Sequence, residues 1–263
     1  MKLSIHPFVA CLVWALAASP NLWGLPDAEA AGGRLVLRRY ADAVVVVKLT
    51  MVLKITVGDR SPASTDQKVD LNATMITPQG LTVTSLSGIE PKVLFESVRT
   101  QLAPPAVPVE LVSSELKGVK LRLGDGSEVP AKVVWRDATR DLAFLAPENP
   151  PAGGRALTCV NLNDAPEAAR LLGDYYNLSR LSEVMQRQPI VRPCTITAIM
   201  ERPRRVVLIN TDWIADILGC PVFDAQGKVL GISLRYLVDG IPRVIVVVPA
   251  ADVAASASQM AAL

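Results

Sequence analysis

Side chains that break bonds in water usually pair a nucleophile with a base, and histidine is the common base because its pKa lies near neutral pH. This chain has a single histidine, His6. Its thiols are Cys11, Cys159, Cys194 and Cys220. Their spacing fits no zinc motif, and without further histidines a metal site has little to build on, so no metal and no cofactor is expected. A cysteine nucleophile also needs a base or an electropositive setting to form thiolate. Hydrolytic chemistry of the usual kind lacks its base unless His6 enters the fold.

His6 lies in a segment of different character. Lys2 gives a positive start, residues 5–18 form a short, mostly apolar run, and Ala28-Glu29-Ala30 places small residues around a cleavage point. Residues 1–30 therefore read as a signal peptide, with Ala31 as the new N-terminus. The alternatives are an uncleaved anchor, for which the run is short of the roughly 20 residues that span a bilayer, and lipid attachment at Cys11. Export, to the periplasm or beyond the cell, would leave no stable membrane span after cleavage. It would also permit one disulfide among Cys159, Cys194 and Cys220, with one thiol left over. Removing Lys2, Asp27 and Glu29 from 27 basic and 25 acidic residues leaves a net charge of +3. That is too little to favour nucleic acid or an anionic membrane as partner. Arg202, Arg204 and Arg205 read as a solvated turn between strands.

The elements that would position any chemistry are β-strands. Half the residues are apolar and only 5% aromatic, which argues against disorder. Val- and Ile-rich runs at 43–57, 72–85, 119–123, 129–135 and 141–145 predict strands, with tight turns at Thr77-Pro78-Gln79-Gly80 and Gly124-Asp125-Gly126. A short helix fits before Pro104-Pro105. Residues 148–154, rich in Pro and Gly, read as a linker. Beyond it, 171–176, 195–200, 206–210, 229–234 and 243–248 predict a second set of strands. The Ala-rich stretch 250–263 closes the chain as a helix with Asp252 as a plausible cap. The expected organisation is an N-terminal β unit over 31–147 and a C-terminal one over 155–263, two packed barrels with a closing helix.

Seven stretches, in order, resemble the HtrA-type branch of trypsin-like serine proteases. Gly80-Leu81-Thr82-Val83-Thr84-Ser85-Leu86-Ser87-Gly88-Ile89 is similar to the family's G-Y-I-L-T-N-A-H-V-V. Ala131-Lys132-Val133-Val134-Trp135-Arg136-Asp137 leads into Arg140-Asp141-Leu142-Ala143-Phe144-Leu145, like A-K-V-V-G-x-D-P-x-T-D-L-A-V-L. Leu172-Gly173-Asp174, Ile209-Asn210-Thr211-Asp212, Gly219-Cys220-Pro221-Val222-Phe223-Asp224, Gly227-Lys228-Val229-Leu230-Gly231-Ile232 and Val246-Val247-Val248-Pro249 follow. The resemblance covers about residues 43–255 and implies two six-stranded antiparallel barrels. No PDZ-like segment is expected between Pro249 and Leu263.

On that resemblance the position of the catalytic histidine falls on Ser87, that of the aspartate on Asp141, and that of the nucleophilic serine on Leu218. The glycine that shapes the oxyanion turn falls on Asp216, and the turn before Leu218 is about two residues shorter than in the family. Leucine cannot attack a carbonyl, and the aspartate's role is only to orient the imidazole. The expectation is an exported, catalytically inactive homologue that holds an extended peptide or protein in the former substrate cleft. A structural subunit of an envelope assembly is a third reading. The alternative is an active peptidase with an unusual constellation: Cys220 as nucleophile, Ser87 served by Lys92 or Lys132, or Asp141 paired with Asp216. Against these stand a structural Cys220 and an Asp141 that accepts backbone hydrogen bonds. Asn72-Ala73-Thr74 and Asn177-Leu178-Ser179 are sequons that would matter only in a eukaryotic secretory route.

Overall fold

The computed structural model describes residues 27–102, 107–149, 154–210, 215–238 and 241–261, so His6, Cys11 and most of the expected signal peptide lie outside the described residues. The chain begins with α1 (Asp27–Tyr40) and a short 3-10 turn at Ala41–Ala43. It then runs through β1 (Val44–Val57), β2 (Ala63–Met75), β3 (Thr82–Ser85), α2 (Leu86–Ile89), α3 (Pro91–Leu102), β4 (Val109–Arg122), β5 (Glu128–Asp137) and β6 (Leu142–Pro147). The second half holds β7 (Asp174–Arg180), β8 (Pro189–Met200), β9 (Val206–Ile209), β10 (Pro221–Phe223), β11 (Val229–Val238), β12 (Ile241–Pro249) and α4 (Ala250–Ala261). Each half closes into an antiparallel barrel, in the orders β1-β2-β3-β6-β5-β4 and β10-β11-β12-β9-β8-β7.

Alternation along β1 builds the first core. Val45, Val47, Leu49, Met51 and Leu53 all point inward and meet Leu121, Ala143 and Leu145, as the period-two geometry of a strand requires. The predicted hairpins form, with Thr74 opposite Val83 and Val119 opposite Ala131. The second barrel is filled by Tyr175, Cys194, Ile196, Val207, Val222 and Val247. A third apolar cluster joins outer faces of both barrels, bringing Val44, Val83 and Phe144 together with Phe223, Ile232, Leu234 and Val246.

Two features depart from what the strand pattern suggests. The cleavage point expected after Ala30 falls inside α1, which packs on the second barrel although it precedes the first. A Cβ on Gly32 would stand 2.9 Å from the Tyr176 ring, and Tyr40 stacks on Phe223 with centroids 4.6 Å apart. The barrels are also tied by polar groups. The buried Arg180 of β7 donates through Nε to the Val44 carbonyl (2.5 Å) and through Nη2 to that of Ala41 (2.8 Å), and Arg187 pairs with Asp70. The Arg202, Arg204, Arg205 cluster lies in the turn between β8 and β9, where Arg204 covers the Tyr236 ring.

Candidate functional site: the Asp141 corner and the Leu218 turn

Ser85 ends β3 in extended backbone and caps α2, its Oγ accepting from the Gly88 N–H at 3.2 Å. Asp141 follows β5 in the left-handed region (φ 60°), a conformation aspartate tolerates better than most residues. Its backbone carbonyl accepts from Leu86 N–H (2.8 Å), and its Oδ1 accepts from Ser87 N–H (2.6 Å). Three amides at the start of α2 would otherwise lack intrahelical partners; Asp141 and Ser85 satisfy them. The second carboxylate oxygen, Oδ2, accepts from Ser85 Oγ (2.6 Å) and from the Arg235 N–H of β11 (3.0 Å).

The hydroxyl protons follow from this arrangement. Ser85 donates its only hydroxyl proton to Asp141, so in the Ser85–Ser87 contact (3.1 Å between oxygens) Ser87 is the donor. Ser87 Oγ in turn accepts from Arg235 Nη1 at 3.5 Å. The chain runs from Arg235 through Ser87 and Ser85 to Asp141. Burial pushes the Asp141 carboxyl above the ordinary carboxylate range, and the hydrogen bonds from Ser85, Ser87 and Arg235 pull part of the way back. Ser87 is 3% exposed, and its hydroxyl proton is spent on Ser85 rather than on a base.

The turn at Leu218 is made differently. A 3-10 turn at Ala215–Ile217 brings Ile217 and Leu218 against Ile245 of β12 in a small apolar cluster. Gly219 then crosses the seam between the barrels with φ +76°; a Cβ there would lie 2.4 Å from the Asn72 carbonyl oxygen and 2.7 Å from Thr84 Oγ1. Its N–H donates to the Ser233 carbonyl (2.8 Å), and its own carbonyl accepts from Thr74 Oγ1 (2.7 Å). The Asp216 carbonyl accepts from Asn72 Nδ2 at 2.7 Å, while its carboxylate stands 3.9 Å from Arg192.

The fold therefore brings Ser87 and Asp141 into contact and places Leu218 at the far end of a short bridge. Ser233 of β11 holds Gly219, and Arg235, two residues on, holds Asp141. Asp216 lies beside Arg192 and Asn72, apart from the Asp141 carboxylate network. Cys220 is fully buried, its thiol donating to the Asp216 carbonyl at 3.4 Å, and burial pushes it well above the ordinary thiol range. Burial pushes the Cys194 thiol up to about 12. Cys159, Cys194 and Cys220 are all free thiols, so the disulfide that export would permit is not formed. Both sequon asparagines are buried: Asn72 bridges to Arg180 and Asp216, and Asn177 donates to Ser233 Oγ at 3.3 Å. A glycan at either would require the seam or the second barrel to open. Among the described residues, no group of three or more His, Cys, Asp or Glu is placed to hold a metal, and no helix is long and apolar enough to cross a membrane.

Ser85 and Arg235 are residues the sequence did not single out, and Asn72 it read only as a sequon. Ser85 carried a usable signal, a serine three residues before a glycine at a strand end. Arg235 shows only as a charge interrupting an apolar strand.

Two closed six-stranded barrels, joined along a seam with a buried aspartate at one corner, define the trypsin-like architecture. The sequence model for the trypsin-like peptidase domain matches residues 78–232, and the chain belongs to that family. Among solved structures, the chain is similar to the Rv3671c protease of M. tuberculosis in its active form, with a TM-score of 0.57 and 19% identity over 92% of this chain and 88% of that one. At that identity the similarity speaks for the fold. No curated protein matches the sequence with significance.

Proposed function

We propose that this protein is an exported, HtrA-like member of the family that no longer cleaves peptide bonds and instead holds an extended peptide or protein segment in the cleft between its barrels. The observation that carries the reading is the pairing at the old centre. Ser87, which the resemblance aligns with the base, gives its proton to Ser85, which donates to Asp141, and Leu218, which it aligns with the nucleophile, is buried with Ile217 and Ile245. No histidine occurs after His6. Peptide binding by strand addition uses main-chain hydrogen bonds and needs no triad. The leader-like residues 1–30 support export.

The test is direct. The purified protein is incubated with unfolded casein and with serine- and thiol-reactive active-site probes, and its binding to an array of extended peptides is measured in parallel. The expected result is background turnover, no serine labelling, and peptide binding that changes on substitution along β11. Turnover abolished by Ser87→Ala or Cys220→Ala would overturn the reading.

A further inference from the structure

We infer that Arg235 receives a carboxylate of the bound peptide at the former reaction centre, an inference that rests on the peptide-binding reading. The backbone of Arg235 is fixed: its N–H is held by Asp141 Oδ2 at 3.0 Å, and it stands opposite Ile245 in the β11–β12 ladder. Ile245 in turn packs with Ile217 and Leu218. A half-buried guanidinium is thus set beside an apolar cluster and above Ser87. Among the described residues its one polar contact is the long one to Ser87 Oγ at 3.5 Å. A guanidinium carries five donors in a fixed fork, so most of its hydrogen-bonding capacity is open to a ligand.

The carboxylates of the corner and of the turn are already engaged. Asp141 has both oxygens taken by Ser85, Ser87 and the Arg235 backbone, and Asp216 faces Arg192. The group that matches an open fork in a partly water-excluded place is an external carboxylate, bound by two parallel N–H···O bonds. A peptide offers one in two ways, as an Asp or Glu side chain or as its free C-terminus.

Fluorescence anisotropy on the full chain separates these sources. Amidated hexapeptides carrying Glu or Gln at one position test the side chain; otherwise neutral hexapeptides with a free or amidated C-terminus test the terminus. The expected result is a preference for the carboxylate form in one arm of about tenfold to a hundredfold, the range of a charged hydrogen bond. Arg235→Gln erases that preference and Arg235→Lys keeps part of it. Lys117→Gln, on the distant exposed β4 strand, leaves it in place. Thermal midpoints of the Arg235 variants confirm folding. Equal binding of carboxylate and neutral peptides, or a preference that survives Arg235→Gln, overturns this inference alone. Absence of binding to every peptide overturns the peptide reading with it.

Discussion

The Asp141 corner and the Leu218 turn meet the same stretch of β11 and are built from opposite materials. At the corner, both carboxylate oxygens have protein partners, with donors from α2, β3 and β11. At the turn, the space is taken by Leu218, Ile217 and Ile245, and the polar bonds are pushed outward onto Asn72, Thr74 and Ser233. The contrast teaches that Asp141 has a structural task of its own at this corner. It supplies acceptors to the first amides of α2 and ties β11 to the first barrel. The turn is held instead by its backbone, through Gly219 and the Asp216 carbonyl, and its side chains at 217 and 218 only fill apolar space.

The largest expected effect breaks the comparison at the point both regions share. Gly219 has positive φ and lies against the Asn72 carbonyl, so Gly219→Val demands a backbone shift along the whole seam. We expect a loss of more than about 4 kcal/mol or failure to fold, read by chemical denaturation; a variant within about 0.5 kcal/mol, the range of ordinary surface substitutions, would show the seam to be pliable. Next comes the contrast itself. Asp141→Ala orphans the Ser85 hydroxyl and the Ser87 and Arg235 N–H groups in a buried place, at about 1–3 kcal/mol for each unsatisfied donor before relaxation. Leu218→Ala removes apolar contacts from a small cluster, at about 2 kcal/mol. Asp141→Ala is therefore expected to be the more destabilising of the two, and the reverse order in urea midpoints would mean that the polar corner is dispensable.

The strands were legible because their apolar residues alternate or run together, and Asp141 was legible because Arg140-Asp141-Leu142-Ala143-Phe144-Leu145 resembles the family's x-T-D-L-A-V-L. What escaped was non-local. Residues 63–70 and 110–118 are polar enough to read as loops, yet pairing on both sides of β1 makes them strands. Gly32 and Gly33 argue against a helix by propensity; packing on Tyr176 favours the close approach that only glycine allows. Arg235 meets Asp141 across 94 positions of sequence, a contact set by how the barrels dock rather than by any local pattern.

The smallest effect concerns pH and bears on the corner. Burial raises the Asp141 carboxyl above its unfolded value of about 3.9. Between the unfolded and folded values the native state then holds more protons than the unfolded one, so this group's contribution to stability falls as pH rises through that window. The slope for one proton is at most about 1.4 kcal/mol per pH unit. Asp125 and Glu128 are held low by Ser127 and by the lysines Lys48 and Lys120, so their contributions rise with pH instead and must be subtracted. Asp141→Asn serves as the reference because it shares those surface groups. The stability advantage of the parent over Asp141→Asn should shrink from just below pH 4 upward and then level off. An advantage that grows over the same interval would mean that the three donors outweigh burial, and that the corner holds its charge as firmly as a triad aspartate would.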